Sequence, residues 1–379
     1  MSKQMPVKGK ISLAMLVTVF ACTSQSALAS TFTNEDIAAS AAGAANAVVA
    51  SADDLAAAIY NPSGLAWQQG VQAMVGSQSR YRNNNAEVGG LSYEGDANLT
   101  DRNMIAISWL PHGSDLGIAA SMSSPYGSKM DWSALYPALG SMDLRFKRYT
   151  VDGFYRINNT MGVAMGLDAY NASLSLADNT TTFAGSDWSK IGGHASLRWE
   201  FSPFWFVGLN VRQGIDVKLS NSAGAQATVT LPDEISLGVA HDLWDDEMRV
   251  ELDLKHSKWS AFEDINVSNN GVTSKSIVTN FNDTTDIRLG AIWNWRHDTQ
   301  LRFGYAYEQG ANPSDGYQPL LSDQSGHKLT AGFGGVMSGM HLDVAYTALL
   351  TPKVNATGTY AARYSDARYN LMFSLTKKF

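Results

Sequence analysis

The chain has 379 residues with a net charge of −7, and only 17% of its residues are charged. This acidic balance excludes nucleic acid as an expected partner, because phosphate backbones are bound by clustered Lys and Arg. A single cysteine, Cys22, excludes a disulfide framework, although export would place the chain in an oxidising compartment.

The N-terminus has the three-part layout of a secretory signal peptide. Three lysines precede an apolar run at 11–21, and small residues lead up to Ala29, so we predict residues 1–29 as a signal peptide cleaved after Ala29. A lipoprotein signal would instead make Cys22 the acylated residue. Phe20 disfavours that alternative, because a small residue is expected two positions before an acylated cysteine.

After the signal, polar and apolar residues alternate with a period of two, whereas no apolar stretch reaches the roughly 18 residues of a membrane helix. In residues 286–295, Ile287 and Trp293 alternate with Asp286 and Arg288. Such alternation sends successive side chains to opposite faces of a strand. Because a bilayer admits only helices or closed barrels, the pattern favours a barrel.

The alternating segments number fourteen, and single-chain outer-membrane barrels have an even number of strands. We predict an all-β membrane protein of the outer membrane, with a 14-stranded antiparallel transmembrane β-barrel over residues 68–379. The predicted strands are residues 71–82, 99–110, 115–124, 143–157, 160–177, 187–201, 204–220, 225–241, 247–268, 275–296, 299–309, 325–337, 340–353 and 359–379. Short turns alternate with longer outer loops, which we expect at 83–98, 125–142 and 310–324.

Aromatic residues mark the predicted membrane interface and the end of the chain. The tryptophans close to predicted short turns are Trp109, Trp199, Trp205, Trp244, Trp293 and Trp295. A girdle at one interface is typical of barrels, whereas the core of a soluble fold would not favour one set of turns. The last strand ends on Phe379, which resembles the signal that outer-membrane proteins present to the barrel assembly machinery, the expected partner in insertion.

Residues 30–67 differ from the barrel in composition. They are rich in alanine, with Asp36 and Asp53 suited to helix starts and Pro62 and Gly64 suited to helix ends. Two or three helices this short do not fold alone, and the lumen of a large barrel can hold them. We predict an N-terminal hatch that plugs the lumen, which indicates selective passage. The alternative is a loose periplasmic extension.

Three blocks of the sequence resemble the FadL/TodX family of outer-membrane transporters for long-chain fatty acids and aromatic hydrocarbons. The first block ends in a segment similar to the family's hatch motif, formed here by Asn61, Pro62, Ser63 and Gly64. The other blocks are a Leu-Pro and Gly segment at 231–240 followed by Trp-Ser-x-Phe at 259–262, and the stretch 286–307. Together the blocks cover nearly the whole chain after the signal.

The resemblance implies lateral release through a plugged barrel. A hydrophobic ligand is captured at the outer surface, passes to a pocket above the hatch, and leaves through an interruption of the third strand into outer-membrane lipid. The candidate residues of the interruption are Ser121, Ser123, Ser124, Pro125 and Gly127. Pro125 lacks a ladder donor, which suits either a gap or a simple strand end. The resemblance implies no cofactor, and we expect a monomer.

The sequence departs from the family pattern in two places. The long helical insertion between the fifth and sixth strands is reduced to about residues 177–187, and the fifth strand lacks an evident basic residue. A carboxylate in a low-dielectric site usually has Arg or Lys partners. Arg212, Arg288 and Arg302 fall on predicted lumen faces and are the candidates for this role, although most inward charges pair across strands.

Transport of hydrophobic compounds is therefore the predicted function, with long-chain fatty acids as the expected ligand. An aromatic hydrocarbon channel is one alternative, and a general diffusion porin is another that the predicted hatch disfavours. An enzyme is not predicted, because the histidines show no His-Glu-x-x-His spacing and the chain has no nucleophile elbow, and we predict no metal site. The outer loops also leave an adhesin or receptor role open.

Overall fold

The structure is a computed structural model that describes residues 32–51, 53–95, 102–244, 246–296 and 298–379. The predicted signal peptide at 1–29, with Cys22, lies outside the described residues. Among the described residues, no helix has the length and apolar character needed to cross a bilayer.

Strands dominate the chain and join into one sheet. They are β1 (Gly70–Val88), β2 (Leu91–Glu94), β3 (Asn103–Leu110), β4 (Leu116–Ser123), β5 (Gly127–Asp131), β6 (Ser141–Arg156), β7 (Met161–Ala177), β8 (Thr182–Trp188), β9 (Gly192–Ser202), β10 (Trp205–Arg212), β11 (Asp216–Ser220), β12 (Gln226–Thr230), β13 (Glu234–Leu243), β14 (Met248–Ser257), β15 (Ile265–Asn269), β16 (Val272–Ile277), β17 (Thr284–Arg296), β18 (Thr299–Glu308), β19 (Gly326–Met337), β20 (Met340–Leu350), β21 (Val354–Asn355) and β22 (Arg363–Lys378).

These strands form fourteen antiparallel crossings of a closed barrel, as predicted. The barrel closes where β1 pairs with β22, from Gln72 opposite Lys378 to Glu87 opposite Arg363. Several crossings consist of two strands in line: β2 with β3, β4 with β5, β8 with β9, β10 with β11, β12 with β13, β14 with β15, β16 with β17, and β20 with β21. Because every crossing has two paired neighbours, the sheet has no free edge in the membrane.

The outer surface of the barrel is apolar over the middle of the strands. In β3, Ile105, Ile107 and Trp109 are about half exposed, while Met104 and Ala106 between them are buried. The six tryptophans of the predicted girdle are all exposed on the outer face. Exposed apolar side chains on a closed barrel are stable in lipid, which agrees with the prediction of an outer-membrane barrel.

Three predicted boundaries are wrong. The loop expected at 125–142 contains β5, which continues the third crossing. The stretch 83–98 was expected to be a long outer loop, but β1 continues to Val88 and turns tightly into β2. The ladder with β22 continues there, because main-chain pairing does not require apolar side chains. The sixth crossing begins at Thr182 instead of residue 187, so only the turn 178–181 separates it from β7.

The N-terminal segment 32–67 fills the lumen with short helices. They are α1 (Ala39–Gly43), α2 (Ala57–Tyr60) and a 3-10 helix at Pro62–Trp67. Two further 3-10 turns are Trp259–Ala261 and Pro319–Leu321. They lie in connections at the end of the barrel opposite the short turns. The hatch reaches the short turns at Trp67, whose indole Nε1 donates to the Asn159 carbonyl at 3.2 Å.

Inward-facing glycines let the hatch backbone lie directly against the barrel wall. They are Gly208, Gly238, Gly290, Gly304 and Gly332, on five of the six consecutive crossings from β10 to β19. A Cβ on Gly208 would overlap the Val49 carbonyl oxygen, and one on Gly304 would lie 2.5 Å from the Ala45 nitrogen. Side chains at these positions would therefore push the hatch away from the wall.

Leucine in place of Gly208 is expected to detach the hatch without preventing barrel assembly. Overpacking of a dense interior costs roughly 1–3 kcal/mol, and here the strain falls on hatch residues 49–50. The expected result is faster proteolysis within 32–67, in a barrel that still migrates as a folded species when unheated samples are run on SDS gels. The matched control is Gly153→Leu, since a Cβ there meets no atom within 4 Å. Equal protease resistance in both variants would contradict the packing argument.

Candidate functional site

A single buried carboxylate of the hatch joins three crossings of the barrel. Asp36 accepts hydrogen bonds from Asn46 within the hatch and from Lys328, Thr347 and Asn370 of β19, β20 and β22, at 2.8–3.1 Å. Burial alone would raise the pKa of Asp36, but Lys328 and these hydrogen bonds hold it below its usual value. The carboxylate is therefore ionised and anchors the start of the hatch.

The predicted hatch motif packs against the opposite side of the wall. The Asn61 amide donates to the carbonyls of Val49 (2.5 Å) and Leu197 (3.0 Å), while its oxygen accepts from the backbone and hydroxyl of Ser63. Pro62 begins the 3-10 helix, where its missing N–H costs nothing. Gly64 closes the turn by donating to the Asn61 carbonyl. The motif thus caps one helix and ties the hatch to β9.

Two neighbouring carboxylates of β14 hold the middle of the hatch. Asp253 accepts from the backbone N–H groups of Val48 and Val49 at 2.9 and 3.0 Å, and Glu251 accepts from Ala50 at 2.5 Å. Val48, Val49 and Ala50 lie outside the hatch helices, so their backbone N–H groups have no intrahelical acceptor. The wall therefore supplies the acceptors that the short hatch helices lack.

Alanine in place of Asp253 is expected to loosen the hatch. It leaves two buried N–H groups without an acceptor, which costs about 1–3 kcal/mol each. Cells producing the variant should admit a bulky hydrophilic antibiotic faster than wild type, and planar bilayers should show new conductance steps. Asp216→Ala is the control, because that aspartate is exposed and its partner among the described residues is the Thr230 hydroxyl of the neighbouring strand. If the variant is no more permeable to the antibiotic than wild type, the β14 carboxylates do not retain the hatch.

The third crossing is interrupted close to the start of the hatch. β4 ends at Ser123 and β5 begins at Gly127, so residues 124–126 leave the ladder. Asn34 bridges the break: its backbone N–H donates to the Pro125 carbonyl at 2.6 Å, and its side chain donates to the Ser124 carbonyl at 3.0 Å. The hatch start therefore closes the break in the way that a neighbouring strand would.

The candidate residues of the interruption occupy different positions. Ser121 and Ser123 are still paired within β4, opposite Thr150 and Arg148 of β6, and they face the lumen. Ser124 and Pro125 form the break itself. Gly127 begins β5, and its N–H donates to the Phe32 carbonyl at 3.0 Å.

Phe32 lies in a nest of aromatic rings directly beside the break. Its ring centroid is 5.4 Å from that of Trp259, 5.8 Å from Phe262, 5.9 Å from Tyr126 and 6.2 Å from Phe146. Most of these contacts are edge-to-face, the arrangement that aromatic pairs favour. We call Phe32, Tyr126, Phe146, Trp259 and Phe262 the aromatic nest. The nest is an apolar site inside a largely polar lumen, and a side chain of the hatch fills it.

A small polar cavity lies between the nest and the hatch. Its volume is about 40 Å³, enough for a few water molecules and too little for a hydrocarbon chain. The charged and aromatic residues that line it are Glu35, Tyr60, Tyr126, Arg148, Arg212, Glu234, Lys255 and Arg288. Burial would raise the pKa of Glu35, but Lys255 and Arg288 lower it to about 2. The cavity therefore holds ionised groups of both signs.

The three arginines predicted to meet a carboxylate already have partners within the protein. Arg212 pairs with Asp168, which also accepts from His194. Arg288 binds Asp286 at 2.9 Å, and Arg302 binds Asp343 at 2.6 Å. All three arginines are therefore ion-paired across or along the inner wall, although Arg212 Nη2 and Arg288 Nε have no hydrogen-bond partner among the described residues.

Arg148 is the basic residue that sequence reasoning missed. It faces the cavity from β6, is 4% exposed, and its Nε has no hydrogen-bond partner among the described residues. Two carboxylates, Asp168 and Glu234, act electrostatically on Arg148, but they form ion pairs with Arg212 and Lys255 respectively. The alternation of the strand predicts that Arg148 faces inward, but it does not predict that the Nε lacks a hydrogen bond among the described residues.

Metal chemistry has no evident site here. Within the described parts of the chain, no group of three or more His, Cys, Asp or Glu side chains could hold a metal ion.

Comparison with known proteins relates the C-terminal half to a family. Residues 190–376 match the family model for "Outer membrane protein transport protein (OMPP1/FadL/TodX)". Outer membrane protein P1 of Haemophilus influenzae is 22% identical over 278 residues, covering 57% of this chain and 60% of that protein. The chain thus spans less than two thirds of the length of this curated relative.

Solved structures show the same fold over most of the chain. A FadL homologue from Pseudomonas aeruginosa superposes with a TM-score of 0.79 at 15% identity, covering 93% of this chain and 100% of that one. The toluene transporter TbuX of Ralstonia pickettii gives a TM-score of 0.68 at 16% identity, with 91% and 99% covered. At these identities the likeness establishes the barrel architecture.

Proposed function

We propose that this chain, because it belongs to the OMPP1/FadL/TodX family of outer membrane transport proteins, carries long-chain fatty acids through its plugged barrel into the membrane. The observation that carries the proposal is the position of Phe32. This hatch side chain fills an apolar nest beside the break in the third crossing, so the nest, the hatch and the break form one site.

Passage straight down the lumen is disfavoured by the way the hatch is held. Asp36, Asn61, Glu251 and Asp253 bind it to crossings on several sides of the barrel. A hydrophobic ligand that went that way would also enter the aqueous periplasm. Lateral exit through the break at 124–126 places it in lipid, where an apolar chain is more stable.

Ligand entry and opening of the break are coupled through residues 32–34. A hydrocarbon chain can occupy the aromatic nest only when Phe32 leaves it, because the adjoining cavity is too small. Across the break, the Phe32 carbonyl accepts a hydrogen bond from the Gly127 N–H, and the Asn34 N–H donates to the Pro125 carbonyl. A ligand that binds better to the state with Phe32 displaced therefore favours the state with the break unsealed.

Arg148 is the proposed partner of the fatty acid carboxylate. It lines the cavity together with Pro125 and Tyr126, so a head group there would lie next to a tail in the nest. A guanidinium that lacks one hydrogen bond in a buried site gains a charge-assisted bond when a carboxylate arrives.

Aromatic hydrocarbon uptake is the second candidate, and the nest favours it. Rings that meet edge-to-face around Phe32 would accept another aromatic ring in its place. The structurally similar TbuX is named as a toluene transporter. Such a ligand has no carboxylate and would not need Arg148.

Uptake of labelled oleate and toluene, by cells with and without the gene, tests the proposal. We expect oleate uptake to depend on the gene. In the Arg148→Gln variant we expect oleate uptake to fall by about tenfold, the effect of losing one charge-assisted hydrogen bond, with toluene uptake unchanged. Arg156→Gln is the control, since Arg156 pairs with Asp115 at a short turn.

Three outcomes would count against this assignment. Gene-dependent uptake of toluene alone would select the second candidate, and uptake of neither compound would remove both. Large, steady single-channel conductance of the wild type in planar bilayers would instead support a general diffusion porin.

A further inference from the structure

A second buried arginine faces the lumen from the crossing next to the break. Arg102 immediately precedes β3, and its carbonyl accepts from the Gln78 backbone N–H of β1 at 3.1 Å. The side chain is 6% exposed. None of its three guanidinium nitrogens has a hydrogen-bond partner among the residues that the structure describes.

Unsatisfied amides lie on the strand beside Arg102. Gln78 is 4% exposed and Asn84 is 1% exposed, and neither amide nitrogen nor amide oxygen of either side chain has a partner within the described ranges. Both face the lumen from β1, and Gln78 lies directly opposite Arg102. A guanidinium and a nearby amide N–H are donors for the same kind of ligand, an anion.

The charges around Arg102 do not neutralise it. Arg82 and Arg368 are the positive charges that act on it, and they lie opposite each other in the β1–β22 ladder. The carboxylate that acts on it, Asp36, is already paired with Lys328. Arg82 binds Asp366 through three hydrogen bonds, and Arg368 lies 3.8 Å from Glu308, so both carboxylates are already matched. Arg80, two residues before Arg82 in β1, donates to two neutral groups, Asn370 and Asn34. This part of the inner wall therefore carries an excess of positive charge.

We propose that Arg102, with Gln78 beside it, is a carboxylate-binding site of its own. An arginine stays protonated at any accessible pH, and a buried charge without a counter-charge is strongly unfavourable. A carboxylate offers two acceptor oxygens in the plane that a guanidinium fork requires. The site lies on the second crossing, whereas Arg148 lies on the fourth, so the two arginines face the interrupted third crossing from opposite sides.

The site adds a second position for an amphipathic ligand near the exit. Asn34, which seals the break through Ser124 and Pro125, also accepts from Arg80 at 2.6 Å, so the arginine cluster and the break share one hatch residue. A head group held at Arg102 would keep a fatty acid next to the break after it leaves Arg148. This inference rests on the proposed function for the identity of the ligand.

Binding to the purified, full-length protein in maltoside detergent tests the inference. Oleate and oleyl alcohol, which share a chain and differ in head group, are titrated by calorimetry into wild type, Arg102→Gln, Arg148→Gln and the control Arg156→Gln. We expect Arg102→Gln to bind one oleate fewer than wild type and to bind oleyl alcohol as wild type does. Without ligand, its melting temperature should equal or exceed that of wild type, because the substitution removes an uncompensated charge.

Three results would count against the site. Unchanged oleate stoichiometry in Arg102→Gln, with a loss in Arg148→Gln, would remove the Arg102 site and leave the proposed function intact. A lower ligand-free melting temperature of Arg102→Gln would show that the arginine pairs within the protein. A wild type that binds neither oleate nor oleyl alcohol would contradict the proposed function and this site together.

Discussion

The polar inner face of the barrel is the constraint on which the rest of the structure depends. Strands that cross a bilayer expose apolar side chains outward, and their alternation turns the polar ones inward. Once the hatch excludes water from the lumen, those inward groups need partners within the protein. The hatch supplies them: Asp36 meets Lys328, Glu35 meets Lys255, and hatch N–H groups meet Asp253. Hatch and wall therefore stabilise each other.

The inner wall is not held in the same way at every crossing. Charged pairs such as Arg302 of β18 with Asp343 of β20 reach across an intervening strand, β19, on the inner wall. The third crossing is different, because residues 124–126 leave the ladder and are held by the hatch start instead of by a strand. Contacts between Asn34 and residues 124–125 are few and reversible, whereas separating a full ladder would break many hydrogen bonds.

Most of the barrel was predictable because its pattern is local. Alternation in 286–295 correctly placed Ile287 on the lipid face and Arg288 in the lumen, and the tryptophans near short turns are exposed as predicted. The prediction of a long loop at 83–98 was wrong, because the structure of this segment depends on contacts that are distant in sequence. The turn at 89–90 and the pairing of Glu87 with a strand almost three hundred residues away are not encoded in the polarity of the segment.

For the site, the sequence by itself determined the residue types that face the lumen, since a period of two is a property of neighbouring residues. It also marked the hatch motif at Asn61 and the proline at the break. Only the tertiary structure decided which inward charges are matched. Arg212 and Arg148 both face inward, yet Arg212 forms an ion pair with Asp168, whereas the Nε of Arg148 has no hydrogen-bond partner among the residues that the structure describes. Strand register sets such distances across the barrel, and register depends on contacts between residues far apart in the chain.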